Sequence, residues 1–308
     1  MINEAKLHFK IADLLNLDSR NVTATVRLLD EGGTVPFIAR YRKEMTGSMD
    51  EVQIIQIRDE IERLRALEQR RESILNSIET QGKLTEELKE QLLAAETMSR
   101  LEDLYLPYKP KRRTRATMAR EKGLEPLAHF ILAQNNASVF DEAEKYISTE
   151  NGVSSALEAL EGARDIVAEV VSEDALVREG LRELFKRSGI IKSRVIKGKE
   201  ETGEKFSDYF EWEEKLMDCP SHRLLAMRRG EKEDVLILDI RIDEEEARHL
   251  IEKKFITGRG ECAQQLKEAI EDSFKRLLQT SIEAEMRVLT KQMADEKAVN
   301  VFADNLRE

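Results

Sequence analysis

The chain is predicted to be mainly α: an elongated multi-helix array with one long antiparallel helical hairpin and at most a few short strands. Three observations carry this. Charged residues fill 36% of the 308 positions and aromatics only 5%, a balance that suits surface-rich helices better than a compact β-rich enzyme. Apolar residues recur at helical spacing over most of the length. Only two runs, "IIKSRVI" (190–196) and "DVLILDIRI" (234–242), read as strands.

The elements follow in order. Residues 4–15 place Leu7, Ile11, Leu14 and Leu15 on one stripe, and 21–29 do the same with Val22, Val26 and Leu29. The glycines of "DEGG" end that second helix, since glycine tolerates the left-handed stop. Val35 before Pro36 is expected to be extended, with Pro36 in a first helical turn. Phe37 and Tyr41, four apart, are expected to anchor one face of that helix. Ser48 and Glu51 fit a capping box. Ile54, Ile57, Ile61, Leu64, Leu67, Ile74 and Ile78 then mark a helix from 50 to about 80, closed by Gly82, and 85–96 runs back as the second arm of the hairpin.

Pro126 opens a helix to about Gln134, "NNAS" (135–138) interrupts, and helices follow near 139–148, 154–171 and 174–187, with Ser172 and Asp174 as caps. The alternation in 234–242 is poor, so that strand is expected to be buried on both faces. From 243 the chain reads as helical, broken at "TGRGE" (257–261). It stops at "FADNLRE" without Gly, Pro or a polar tail, the mark of a cut chain. Length implies about two domains: a helical one over 1–200 with the hairpin (about 50–96) and a basic loop (106–123), and a second helical region over 201–308.

Composition excludes several classes. The net charge is −11, divided as −3 over 1–200 and −8 over 201–308, which argues against a whole-surface nucleic-acid binder. Cys219 and Cys262 lack CxxC spacing, so a reducing, cytoplasmic setting is expected, with no disulfide or metal framework. The N-terminus is not a signal peptide, and no apolar run approaches a membrane span. No HExxH, GxSxG or Walker pattern occurs. The acids 243–246 are those a helix dipole favours at its start. No catalytic residue, cofactor or metal is therefore expected.

One stretch opposes the overall charge. Between Lys109 and Lys122 lie seven cations (Lys109, Lys111, Arg112, Arg113, Arg115, Arg120, Lys122) and one acid, Glu121. Pro107 and Pro110 favour extended backbone, and Tyr105 and Tyr108 flank it, the mixture of cations and stacking rings that single strands favour. The stretch reads as a phosphate grip or as a partner for the acidic hairpin 59–96. Arg40, Arg42 and Lys43 either extend the same surface or bridge to acidic helices. In "SHRLLAMRRGE", Ser221 is a plausible N-cap and Leu224, Leu225 and Met227 are buried positions. Arg223 is a phosphate candidate, as are Arg228 and Arg229, which otherwise complement the helix end.

"LEDLYLPYKPKRRTRATMAREKGLEPLA" (101–128) closely resembles the bacterial Tex family of transcription accessory proteins. So do "GGTVPFIARYRKEMTGSMDEVQI" (32–54), "ALEGARDIVAE" (159–169) and "CPSHRLLAMRRGE" (219–231). The resemblance implies an N-terminal portion cut before an RNase H-like domain, helix-hairpin-helix elements and a C-terminal S1 domain. It also implies a helix-turn-helix-like unit, to which 221–258 would contribute, and nucleic-acid binding in transcription without strong sequence specificity. The expected sites are Tyr108, Lys109, Lys111, Arg112, Arg113, Arg115 and Arg120, with Arg40, Arg42, Lys43, Arg223, Arg228 and Arg229. The expected partner is nucleic acid (RNA, or alternatively DNA) within the transcription machinery. The alternative is a scaffold that docks RNA polymerase, ribosome or downstream domains and makes no nucleic-acid contact of its own.

Overall fold

The computed structural model describes residues 3–135 and 137–307, with 300–307 as backbone alone. Met1, Ile2, Asn136 and Glu308 lie outside the described residues, as therefore do parts of the expected start, the break at 135–138 and the abrupt end. The chain divides into two compact units, 1–108 and 109–308. The protein is mainly α, with one small three-stranded sheet. None of the described helices is long and apolar enough to cross a membrane.

The first unit is built on one long helix. It holds α1 (Glu4–Leu15), α2 (Ser19–Asp30), α3 (Val35–Tyr41), α4 (Lys43–Thr46), α5 (Glu51–Thr80), α6 (Glu86–Ala94), α7 (Met98–Tyr105) and a 3-10 turn, Leu106–Tyr108. Every apolar position predicted for α5, from Ile54 to Ile78, is buried. Ile54, Ile57, Ile61 and Leu64 pack with Leu7, Ile11, Val22, Val26 and Ile38 of α1 to α3. Each fully buried aliphatic side chain contributes roughly 1.5–3 kcal/mol. Leu14, expected on the α1 stripe, is exposed; Ala12 takes the buried position. On α2 Leu28 is buried, while the expected Leu29 packs only partly.

The α5 capping box is formed by Asp50 and Gln53, whose side chains satisfy each other's backbone amides. Ser48, the expected cap, instead sits at φ 64° in the turn that follows α4. Gly82 (φ 67°) ends α5, and α6 runs back along it. The Arg71 guanidinium, buried in α5, donates to Leu92 O at 2.9 Å and Ala95 O at 2.6 Å, and pairs with Glu68. It thereby satisfies carbonyls that the end of α6 leaves without intrahelical partners. α7 then runs forward again, fixed by Arg70 on Glu102 and by a Ser77–Tyr105 hydroxyl contact of 3.0 Å.

The second unit holds α8 (Arg115–Glu121), α9 (Glu125–Ala133), α10 (Val139–Glu144), α11 (Ala156–Ser172), α12 (Ala175–Ser188), β1 (Ile190–Val195), β2 (Glu211–Lys215), α13 (Ser221–Lys232), β3 (Leu236–Arg241), α14 (Glu244–Phe255), α15 (Glu261–Asp272) and α16 (Gln279–Arg307). A π-helical turn, Ser273–Leu278, joins the last two. α11 lies at the centre, its Ala159, Ala163, Ile166, Val167 and Val171 all buried.

The sheet order is β2-β1-β3, antiparallel throughout. The two predicted strands are present, but β3 is not buried on both faces. Leu236, Leu238 and Ile240 point inward, while Ile237 is 41% exposed. β2 escaped the sequence reading because "EWEEK" has almost no apolar alternation, as befits a charged edge strand. Residue 200 lies in the connection between β1 and β2, inside this unit. The segment 221–258, expected to contribute to a helix-turn-helix-like unit, is a helix, a strand and a helix, with β3 inside the run read as a strand. Pro220 occupies the N-cap of α13, and Ser221 is its first helical residue.

Replacing Arg71 by Met leaves two buried carbonyls and Glu68 without their donor. The first unit should lose roughly 2–4 kcal/mol, read as a shift in urea midpoint followed by helical circular dichroism. An unchanged midpoint would refute the capping role.

Candidate nucleic-acid interface

The basic segment belongs to the second unit, and only its first part is a loop. Pro110 keeps 109–113 out of helix. Thr114 then caps α8 in a reciprocal arrangement with Thr117, which turns 115–121 into helix. Ala116 and Ala119 bury that helix, which packs against α11. Arg115 and Arg120 are therefore helical residues and not part of an extended arm.

Carboxylates of α11 and its cap hold much of the charge. The Lys111 ammonium lies 3.0 Å from Glu169 and 2.6 Å from Glu173. Arg120 donates to Glu169 at 2.7 Å and to Glu125 at 3.2 Å. The Thr114 hydroxyl reaches the other Glu169 oxygen at 3.1 Å, and Lys122 lies 2.7 Å from Glu158. Arg115 lines a polar cavity of about 220 Å³ together with Glu161, Asp165 and Asp272.

The cations of 109–122 are thus not equivalent. Lys111, Arg120 and Lys122 are ion-paired, with partners on α11 and its C-cap and, for Arg120, also Glu125 of α9, all in the same unit. Arg113 makes one contact of 3.4 Å with Glu121 in which both side chains are largely exposed. Lys109 and Arg112 are exposed, and no carboxylate among the described residues pairs with them.

The acids respond to this setting. Burial works to raise the Glu169 carboxyl, but hydrogen bonds from Arg120 and Lys111 outweigh it and hold the group below its usual range. For Glu173 burial dominates, and the group is pushed up despite Lys111. Glu158 is lowered to about 2, first by Lys122 and then by Ser154.

The flanking tyrosines differ from expectation as well. Tyr105 is buried, with Arg70 over its ring at 5.5 Å. Tyr108 is half-buried, and its carbonyl accepts a hydrogen bond from Gln81. Neither is an open stacking platform.

In the first unit, α3 buries Val35, Ile38 and Ala39, which turns its other face to solvent. Phe37 and Tyr41 do meet, with ring centroids 5.5 Å apart, but they are 41% and 63% exposed. The expected aromatic anchor is therefore a surface feature. The Arg42 guanidinium sits over the Phe37 ring at 5.0 Å and donates to Tyr41 O. Arg40, Arg42 and Lys43 are exposed, and none pairs with a carboxylate among the described residues. The expected bridging to acidic helices is absent there, whereas Arg58, Arg63, Arg65, Arg70 and Arg71 of α5 all carry acids.

The α13 cations are mostly occupied. Arg223 lies over Trp212 at 4.6 Å and pairs with Glu214 at 2.6 Å. Arg228 pairs with Glu231 at 2.8 Å. Arg229 is exposed in the last turn, where it complements the helix end. Burial and the adjacent Glu214 push the Cys219 thiol up to about 12.

Sequence reasoning missed Glu169 and Glu173 as partners. Their only signal was a pair of acids four apart at the end of a helix that also carries Glu158, Glu161 and Asp165.

Comparison with known proteins fits this helical architecture. The model described as Tex central region-like matches residues 134–302, and that of the Tex-like protein N-terminal domain matches 5–79. The chain is 44% identical to protein YdcI of Bacillus subtilis, with 100% of this chain and 43% of that protein covered. It is 41% identical to the transcriptional accessory protein Tex of Neisseria gonorrhoeae, over 96% and 39%. The human S1 RNA-binding domain-containing protein 1 is 28% identical over 97% and 31%. The chain belongs to the Tex family. It spans roughly two-fifths of the length of the bacterial relatives it matches.

The pairing pattern orders two variants. Glu169→Gln should destabilise the second unit at neutral pH by roughly 1–3 kcal/mol, more than Glu173→Gln does. Because the folded Glu169 pKa is depressed, its contribution is present above the unfolded carboxylate pKa and lost as pH falls through the folded value. The gap between Glu169→Gln and wild type should therefore begin to narrow as pH falls below the unfolded carboxylate pKa of about 4.3. Thermal melts across pH check both statements, and a reversed order would contradict them.

Proposed function

We propose that this chain is the N-terminal helical platform of a cytoplasmic, non-catalytic transcription accessory protein, and that it contacts nucleic acid through phosphate without strong sequence specificity. The reading rests on one observation: Lys109, Arg112 and Arg113 are exposed around Lys111, which is held by Glu169 and Glu173. An anchored loop presents its remaining cations at little ordering cost on binding. The Arg113–Glu121 contact is no obstacle, since exposed pairs are worth roughly 0–1 kcal/mol. The likeness to Tex supports the transcription setting, and the S1 RNA-binding name of the human relative favours RNA.

Three phosphate contacts give a weak, salt-dependent interaction, with log affinity falling against log salt at a slope of roughly −2 on single strands. Anisotropy of a labelled single-stranded RNA should show this slope for wild type. Changing Lys109, Arg112 and Arg113 to Glu should weaken binding roughly 10–100-fold at low salt and flatten the slope. Equal affinity and slope in both proteins would remove the proposed contact and favour a scaffold that binds protein alone.

A further inference from the structure

We infer that the exposed face of α3 and α4 in the first unit is a stacking site for an unpaired nucleobase. The inference deepens the proposed function and rests on its choice of nucleic acid as partner, but it concerns different residues and a different force.

Four observations carry it. First, Phe37, Tyr41 and Met45 are 41%, 63% and 48% exposed within one short stretch of a chain that is only 5% aromatic. Aromatic rings normally supply core or interface area, and here the buried face of α3 is already filled by Val35, Ile38 and Ala39. Second, the rings are clustered: Phe37 and Tyr41 lie 5.5 Å apart, and Arg42 is laid over Phe37 at 5.0 Å.

Third, an open cavity of about 470 Å³ adjoins them, lined among others by Leu28, Thr34, Phe37, Ile38 and Arg42. Its size falls within the roughly 300–1,000 Å³ of ligand pockets. Fourth, the charge is one-sided. Arg40, Arg42 and Lys43 have no carboxylate partner among the described residues. The one acid in the cavity wall, Glu31, is taken up by Arg27 at 2.9 Å, and Glu44 leaves positions 40–44 with a surplus of two positive charges.

Rings beside uncompensated cations match the two surfaces of a single strand, base faces and phosphates. A duplex hides its base faces, and the carboxylates of an acidic peptide answer the cations without offering a ring. Single-stranded RNA and DNA share the required chemistry, so both are included as probes.

The test compares the full chain with its Tyr41→Ala, Tyr41→Phe and Phe37→Ala variants by anisotropy. The probes are labelled oligouridine, oligothymidine, a duplex of equal length and an abasic strand. Tyr41→Ala and Phe37→Ala should each weaken binding to the single strands roughly 5- to 100-fold, with the salt slope unchanged. Tyr41→Phe, which keeps the ring, should bind like wild type, and affinity for the abasic strand should be the same in all four proteins.

The variant with Lys109, Arg112 and Arg113 changed to Glu separates the two readings. If it binds like wild type while Tyr41→Ala is weakened on base-bearing strands only, the phosphate loop fails and the stacking site stands. If Tyr41→Ala and Phe37→Ala bind single strands as wild type does, the stacking site is overturned and the face is left to a protein partner. A loss of equal size on the abasic strand overturns it too.

Discussion

The second unit depends on a carboxylate placed where it has to be satisfied. Glu169 is 7% exposed on the central helix α11, among alanine, isoleucine and valine. An ionised group there is costly unless charge and hydrogen bonds surround it. Lys111, Arg120 and the Thr114 hydroxyl provide both. These three residues bracket the start and end of one short segment, so satisfying a single acid fixes the 109–113 loop, the cap of α8 and the end of α8 together. The basic segment is a structural clamp before it is anything else. Its exposed cations, Lys109, Arg112 and Arg113, flank a residue, Lys111, that is occupied.

The first unit reaches surface order by a different route. Its long helix satisfies its own arginines with acids on α5 and on the neighbouring helices, and Arg71 closes the end of α6. α3 is outside that network. It is held by three small or branched apolar residues on one side, and Phe37, Arg40 and Tyr41 fall on the other. The same 3.6-residue period that buries Ile38 and Ala39 presents the rings. Exposure of Phe37 and Tyr41 is thus a consequence of which side of α3 faces α5, and Arg42 lies over Phe37.

The sequence made periodic features legible and left pairings obscure. The α5 stripe from Ile54 to Ile78 was readable because its apolar residues keep to one face for about seven turns. The strands at 190–195 and 236–241 were readable from their branched residues. β2 was not, because an edge strand of Glu, Trp and Lys carries almost no apolar alternation. Within α3, Phe37 and Tyr41 looked like the anchor by size, yet Val35, Ile38 and Ala39 are the residues that α3 buries. The partners of the basic segment were beyond reach for a geometric reason. Glu169 is 58 residues from Lys111 in sequence, and nothing local to either position encodes their meeting. The acidic hairpin was the nearer candidate along the chain, and it was the wrong one for Lys111, Arg120 and Lys122.

A count of charges therefore overstates what this chain offers a polyanion. Seven cations and one acid become three that bind α11, one beside Asp165 and Glu161, and three left at 109, 112 and 113. Releasing Lys111 or Arg120 to a phosphate would strand Glu169 in an apolar setting, so those two cations are withheld from ligands by the fold itself. Arg40, Arg42 and Lys43 attract less notice in the sequence, yet no buried acid depends on them. The cations most available to a ligand are those the core does not need, and burial of their acidic partners, more than local charge density, decides which they are.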